Sequence, residues 1–187
     1  MVKRNTCIFI SGRGTNLKNL ISHSRSYTFP LKICLVIYNN KNAGGVNYAK
    51  KHKIPYIFIN TKDRNNENKI LLNLRKHRIS FICLAGYMKI ISNTLIRPYK
   101  KKIINIHPSL LPKFKGLNTF SRILEKKEVK TGCTVHYVND KLDGGDKIIQ
   151  KFFFINAGDD KHALKKKTQL IEYNAYPEAI IKIFRNN

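Results

Sequence analysis

The sequence predicts an α/β protein with a doubly wound, mostly parallel β-sheet and an antiparallel addition after residue 107. Up to that residue, short runs rich in β-branched residues alternate with longer amphipathic stretches, as expected when helices connect parallel strands. A glycine-containing turn follows the first of these runs. After residue 107 a proline-punctuated loop leads to two strand-like runs around an Asp-Gly-Gly turn, which indicates an antiparallel pair.

The spacing of apolar residues places the elements in order along the chain. It predicts strands at residues 6–11, 31–38, 56–59, 81–84 and 103–107, and helices at 17–24, 46–52, 64–77 and 92–99. Further on it predicts a helix near 120–126, strands at 131–137 and 147–155, and a last helix from about 162 to 184. Pro177 should kink the last helix or divide it in two. Because no repeat or linker interrupts this pattern, we expect a single domain over residues 1–187.

The chain is strongly basic, with 36 Lys and Arg against 11 Asp and Glu and a formal net charge of +25. Such a charge is typical of nucleic-acid-binding proteins. The lysines are nevertheless spread along the whole chain and accompany many Asn and Ile residues, which A/T-rich codons also encode. We therefore do not expect RNA binding as the main function, although the charge can attract anionic substrates.

The sequence shows no sign of a membrane or export segment. No apolar run approaches the roughly 20 residues that a membrane span requires, and the amino terminus lacks the apolar stretch of a signal peptide. The four cysteines form no Cys-x-x-Cys pair, and the histidines show no paired-ligand spacing. We expect a cytoplasmic protein without a metal site.

The turn after the first strand reads Ser-Gly-Arg-Gly-Thr-Asn-Leu over residues 11–17. Glycines let backbone N–H groups approach a ligand, Thr15 or Asn16 can cap the following helix, and the amino terminus of a helix favours an anion. The turn therefore suits a phosphate group. It is not a dinucleotide-binding fingerprint, which would need glycine at Leu17, and it lacks the Gly-Lys of a P-loop. A tight turn without a ligand is the alternative.

Three polar residues could converge on one reacting centre. In the alternating strand 103–107, Asn105 and His107 point to the same side, and the prolines that follow leave His107 at the carboxyl end of the strand. Asp143 precedes two glycines, whose tight turn could bring its carboxylate beside His107 and raise the pKa of the imidazole. His136, in the predicted strand 131–137, is a candidate supporting residue. A structural histidine and an ordinary hairpin turn are the alternatives, but the pattern favours an enzyme.

The same segments resemble the phosphoribosylglycinamide formyltransferases, a folate-dependent family of purine synthesis. The resemblance extends over nearly the whole chain. It rests on the 11–17 turn, Leu-Ala-Gly-Tyr-Met at 84–88, Asn-Ile-His-Pro-Ser-Leu-Leu-Pro at 105–112, and Asp-Lys-Leu-Asp-Gly-Gly at 140–145. It implies a formyltransferase-like fold and transfer of a formyl group from formyl-tetrahydrofolate to the amine of glycinamide ribonucleotide, without a metal. We expect small molecules as partners and a monomer or homodimer.

Carried over to the matching positions, the resemblance implies three groups of residues. Asn105 and protonated His107 would donate hydrogen bonds to the formyl oxygen of a tetrahedral intermediate, while Asp143 keeps His107 charged and helps to relay protons. The ribonucleotide would be bound by Gly14, Thr15, Asn16, Gln169 and Glu172. The folate would be bound by Arg64, Met88, Lys89, Ile90, Ile91, Asp140, Lys141 and Leu142.

The chain departs from the family pattern at Lys115, Asn118, Phe120, Lys167 and Tyr173. The family usually has proline at the first of these positions, histidine at the next two, and arginine and histidine at the last two. The nearest alternative is methionyl-tRNA formyltransferase, which shares the 105–112 core, but we do not expect its additional RNA-binding domain here. Formyl-tetrahydrofolate hydrolase and a non-catalytic nucleotide- or RNA-binding module are the remaining alternatives.

Overall fold

The computed structural model describes residues 2–185. The strands are β1 (Arg4–Ile10), β2 (Leu31–Tyr38), β3 (Tyr56–Phe58), β4 (Phe81–Leu84), β5 (Ile103–His107), β6 (Lys130–Tyr137) and β7 (Lys147–Phe154). The helices are α1 (Thr15–Ser24), α2 (Val46–Lys51), α3 (Asn66–Lys76), α4 (Asn93–Ile96), α5 (Thr119–Glu125) and α6 (Lys161–Arg185), with a 3₁₀ turn (Arg97–Tyr99) after α4. The strand order is β3-β2-β1-β4-β5-β6-β7. The chain divides into two compact units between Ile104 and Asn105.

In the first unit, β1 lies between β2 and β4 and pairs with both in parallel. Strand β3 adds to the far side of β2, also in parallel. The last five residues of β1 are all buried, as expected for a central strand that is covered on both faces. Helix α1 buries Leu17, Leu20 and Ile21, which lie at the spacing of a single apolar face. The carboxyl ends of these parallel strands meet at one edge of the sheet, where such folds hold their ligands.

In the second unit, β6 and β7 form an antiparallel pair in which Thr131 lies opposite Phe153. Gly132 of β6 allows the two strands to approach, because a Cβ atom there would lie 1.9 Å from the carbonyl oxygen of Lys151. Helix α6 packs against both strands. The parallel part and the antiparallel pair together confirm the predicted fold class. The element ends differ from the predicted ones by one or two residues, except that the helix predicted at 92–99 is α-helical only to Ile96 and continues as the 3₁₀ turn.

Helix α6 is continuous from Lys161 to Arg185, so the expected division at Pro177 is wrong. Proline removes one backbone donor from the helix. Its neighbours compensate, since the buried residues around it hold the helix on both sides of the proline. These are Ala175, Tyr176, Ala179 and Ile180. Neither α6 nor any other helix within residues 2–185 is long and apolar enough to cross a membrane.

Candidate active site

Strand β5 directs Asn105 and His107 towards one carboxylate, that of Asp143. The Nδ2 atom of Asn105 lies 3.4 Å from Oδ1, and Nδ1 of His107 lies 3.2 Å from Oδ2. The side chains of His107 and Asp143 are only 7% and 8% exposed. The structure thus brings the amide, the imidazole and the carboxylate together in a centre that is largely shielded from water.

The position of Asp143 depends on unusual backbone around it. Asp143 has a left-handed conformation with φ of 46°, which Asp adopts more readily than most residues. Gly145 lies so close to the preceding strand that a Cβ atom would be 1.9 Å from the carbonyl oxygen of Tyr137. On the other side, the N–H of Gly116 donates to Oδ2 at 2.8 Å. The turn that holds the carboxylate therefore requires glycine.

Asp143 is ionised at neutral pH. Burial raises its pKa, but His136, the N–H of Gly116 and His107 outweigh burial and hold the pKa of this carboxyl at about 2. The charge is therefore stabilised by its immediate neighbours and not by solvent. Among residues 2–185, no group of three or more His, Cys, Asp or Glu side chains could hold a metal ion.

His136 of β6 sets the orientation of the Asn105 amide. Its Nδ1 lies 2.8 Å from the carbonyl oxygen of Tyr137, which can only accept, so Nδ1 carries a hydrogen. Its Nε2 atom lies 3.2 Å from Nδ2 of Asn105 and 3.6 Å from Oδ1 of Asp143. The amide nitrogen of Asn105 consequently lies beside both His136 and Asp143. A substrate oxygen would take the place of the longer contact, the one to Asp143.

Two influences on the pKa of His107 oppose each other. Burial lowers its pKa below the ordinary value and outweighs Asp143 and the Phe114 carbonyl, both of which raise it. Asp143 therefore acts on the imidazole in the expected direction, but in the ligand-free protein burial has the larger effect. Nδ1 of His107 faces Asp143, and its Nε2 lies 2.9 Å from the carbonyl oxygen of Phe114. Because both neighbours are acceptors, a proton gained by this ring would be bound by two hydrogen bonds.

In the first unit, the turn between β1 and α1 is held by a contact between two glycines. Gly14 precedes the helix in the left-handed conformation, with φ of 71°. A Cβ atom on Gly14 would lie 2.5 Å from Cα of Gly45, whose own N–H donates to the carbonyl oxygen of Gly12 at 3.1 Å. Thr15 and Asn16 form the first turn of α1, where backbone N–H groups lack partners within the helix. Gly45 therefore shapes this turn, although no local feature of the sequence indicated it.

Ser11 connects the loops that follow three neighbouring strands. Its hydroxyl donates to Oδ1 of Asn39 at 2.6 Å and accepts from the N–H of Met88 at 2.8 Å. Its backbone N–H donates to the carbonyl oxygen of Gly86 at 3.2 Å, and its carbonyl oxygen accepts from Asn40 at 3.2 Å. The loops after β1, β2 and β4 are therefore tied together at one residue. The sequence marked this residue as the end of a strand and the start of the 11–17 turn, but not as a connection between loops.

The residues expected to bind folate lie in exposed loops. Met88 and Ile90, between β4 and α4, are 64% and 80% exposed, and Leu142, between β6 and β7, is 54% exposed. Large apolar side chains that face solvent are suited to cover an apolar ring system. The other members of this group are exposed or half-buried: Arg64 before α3, Lys89 and Ile91 beside Met88, and Asp140 and Lys141 beside Leu142.

Gln169 and Glu172 lie one turn apart on α6, so their side chains share a face of the helix. Both are half-buried. The Nε2 atom of Gln169 donates to the hydroxyl of Tyr173 at 2.8 Å. Lys167, another departure from the family pattern, binds both carboxylate oxygens of Asp159, at 2.8 and 2.6 Å. Two of the unusual residues on this helix therefore have local partners.

Known proteins of one family match this chain over nearly its whole length. Residues 4–180 match the family model described as formyl transferase. The phosphoribosylglycinamide formyltransferase of Haemophilus influenzae is 39% identical over 181 residues, which cover 95% of this chain and 85% of that protein. The trifunctional purine biosynthetic protein adenosine-3 of Drosophila pseudoobscura pseudoobscura is 39% identical over 184 residues, covering 95% of this chain, but this chain spans only 14% of its length.

Solved structures give the same result. The crystal structure of phosphoribosylglycinamide formyltransferase from Bacillus halodurans matches with a TM-score of 0.92 and 33% identity, over 96% of this chain and 95% of that one. The chain belongs to the formyl transferase family and, within it, to the phosphoribosylglycinamide formyltransferases.

Proposed function

We propose that this protein transfers the formyl group of formyl-tetrahydrofolate to the amine of glycinamide ribonucleotide, in de novo purine (IMP) biosynthesis. The observation that carries the proposal is the buried cluster of Asn105, His107 and Asp143 in a chain of this family. An amide donor, an imidazole and an ionised carboxylate can together stabilise the charge and move the protons of a formyl transfer without a metal.

The chemistry follows from what each group can donate or accept. The substrate amine attacks the formyl carbon, a C–N bond forms, and negative charge develops on the formyl oxygen. Asn105 and protonated His107 donate N–H groups to that oxygen, Asn105 after exchanging its long contact with Asp143. The new negative charge and the carboxylate of Asp143 both stabilise the imidazolium form of His107. The proton that the amine loses passes, with the help of Asp143 and through water, to the folate nitrogen as its bond to the formyl carbon breaks.

Two further groups of residues would bind the substrates. We assign the ribonucleotide phosphate to the turn at Gly14, Thr15 and Asn16, because the start of α1 offers backbone N–H groups and a favourable dipole. Gln169 and Glu172 would bind the rest of the ribonucleotide. The folate residues are Arg64, Met88, Lys89, Ile90, Ile91, Asp140, Lys141 and Leu142, and the exposure of the apolar ones supports this assignment.

The same proposal covers partners and location. Small-molecule substrates account for the site without a nucleic-acid partner, since the basic residues are dispersed along the chain and form no basic tail. We assign the enzyme to the cytoplasm and expect a monomer or homodimer.

The direct test is turnover of purified protein with glycinamide ribonucleotide and a formyl-tetrahydrofolate analogue, followed by folate absorbance. Loss of one oxyanion donor typically costs about a hundredfold or more in rate, so Asn105→Ala and His107→Ala should each lower kcat by at least that factor. His162→Ala is the matched control, because His162 is exposed at the start of α6; its turnover should equal that of the wild type.

The assay separates the assignment from its alternatives. Turnover that survives in folded His107→Ala protein would remove His107 from the mechanism. A folded wild type that forms no product would contradict glycinamide ribonucleotide as the acceptor. Formyl transfer to initiator tRNA would then be the next reaction to measure.

A further inference from the structure

The loop between β5 and α5 contacts two of the proposed catalytic side chains through its backbone. The carbonyl oxygen of Phe114 lies 2.9 Å from Nε2 of His107. The N–H of Gly116 donates to Oδ2 of Asp143 at 2.8 Å. The orientation of both side chains therefore depends on the path of residues 114–118.

That path is conformationally costly. Phe114, Gly116 and Asn118 all have left-handed backbone, with φ of 57°, 76° and 55°. Glycine adopts this region freely and Asn tolerates it, but for a bulky aromatic residue it is an outlier that costs free energy. Such a backbone persists only when surrounding contacts hold it in place.

Arg122 of α5 supplies those contacts. Its Nη1 donates to the carbonyl oxygens of Lys115 at 2.7 Å and Leu117 at 3.2 Å, the two residues that alternate with the left-handed ones. Its guanidinium also lies over the ring of Phe114, 5.6 Å from the ring centre. A planar guanidinium can bind two carbonyls and stack on a ring at once, which a lysine ammonium cannot do.

We propose that Arg122 is a positioning residue for catalysis, which holds the 114–118 loop in the one conformation that orients His107 and Asp143. Arg122 binds the carbonyl oxygens of Lys115 and Leu117 and stacks on Phe114, so it acts on His107 and Asp143 through the loop. Its effect on turnover rests on the proposed function, whereas its effect on the loop can be measured without substrate.

The charge of Arg122 has a separate, smaller influence. Burial is the main cause of the lowered pKa of His107, and the nearby cation of Arg122 lowers it further. The Phe114 carbonyl acts in the opposite direction. Arg122→Lys keeps the charge and removes the planar group, while Arg122→Gln removes both, so the two variants separate geometry from electrostatics.

The experiment compares these two variants with Lys126→Gln, an exposed site one turn later, directly after the end of α5. Without substrate, amide exchange at Gly116 should be at least about tenfold faster in both Arg122 variants, because the loop opens locally. By NMR, the titration of His107 should shift in Arg122→Lys relative to the wild type, since the burial of the ring and its contact with the Phe114 carbonyl both depend on the loop. His107 should titrate at higher pH in Arg122→Gln than in Arg122→Lys.

Turnover gives the second readout. We expect kcat to fall about tenfold or more in both Arg122 variants, with little change in KM because the substrate-binding groups are untouched. The control variant Lys126→Gln should have the kcat and KM of the wild type. The proposal would be overturned if, in Arg122→Lys, the Gly116 amide exchanged at the wild-type rate and His107 titrated at the wild-type pH. If Arg122→Gln does not fold, amide exchange and the His107 titration in Arg122→Lys still test the proposal. If wild-type protein lacks turnover, the exchange and titration measurements test the loop independently of the proposed function.

Discussion

Replacing Asp143 by Asn should lower the stability of this protein by a predictable amount. The pKa of Asp143 is about 2, against an ordinary value of 3.8. With about 1.36 kcal/mol for each pH unit of difference, the ionised carboxylate contributes about 2 kcal/mol to folding at pH 7. The side chain is 8% exposed, so solvent screening is small. Asn tolerates left-handed backbone as Asp does, and the substitution therefore adds no conformational strain.

The sign of the pH dependence follows from the lowered pKa. The contribution is fully present above the unfolded-state pKa and is lost as the pH falls through about 4 towards 2. The difference in unfolding free energy between wild type and Asp143→Asn should therefore be about 2 kcal/mol at pH 7 and about half of that at pH 3. Urea unfolding followed by circular dichroism at both pH values measures it.

Asp140→Asn provides the control, since Asp140 is exposed in the same β6–β7 connection and its replacement should change stability by less than about 0.5 kcal/mol. The reasoning would be refuted if the two variants were equally stable at pH 7. A difference for Asp143→Asn that stayed constant between pH 7 and pH 3 would refute it as well, because the stabilisation would then not come from the ionised carboxylate.

Two glycine substitutions test the backbone of the site. Gly145→Ala should destabilise the protein by about 3 kcal/mol or more in thermal unfolding, because its Cβ atom would meet the carbonyl oxygen of Tyr137 at 1.9 Å; an unchanged midpoint would contradict this. Gly14→Ala combines a left-handed φ of 71° with a 2.5 Å approach to Gly45, so KM for the ribonucleotide should rise about tenfold. In Gly44→Ala the added Cβ atom would meet nothing within 4 Å, so this control should leave that KM unchanged. Equal KM values in Gly14→Ala and Gly44→Ala would count against the proposed phosphate site.

Local periodicity was enough to predict much of the fold and the centre of the site. The alternation of β5 places Asn105 and His107 on one face, and the glycines after Asp143 permit the turn that brings its carboxylate to them. These features depend on residues close together in sequence. For the same reason, the order of strands and helices in the first unit could be predicted from apolar spacing alone.

Contacts between distant segments could not be predicted in this way. The N–H of Gly116 and the carbonyl of Phe114 are backbone groups, which every residue carries, so no residue type marks their approach to Asp143 and His107. The lowered pKa of His107 depends on how deeply the fold buries this side chain, because burial outweighs the adjacent carboxylate. The continuity of α6 through Pro177 likewise depends on tertiary packing and overrides a local rule.

The hydroxyl of Ser11 has a consequence for how the first unit responds to ligands. It is acceptor to the N–H of Met88 and donor to Asn39, while its backbone precedes the turn at Gly14. The start of the turn and the segment at Met88 therefore share one oxygen atom. We expect a displacement of the turn to change the mobility of the segment at Met88 through this hydroxyl.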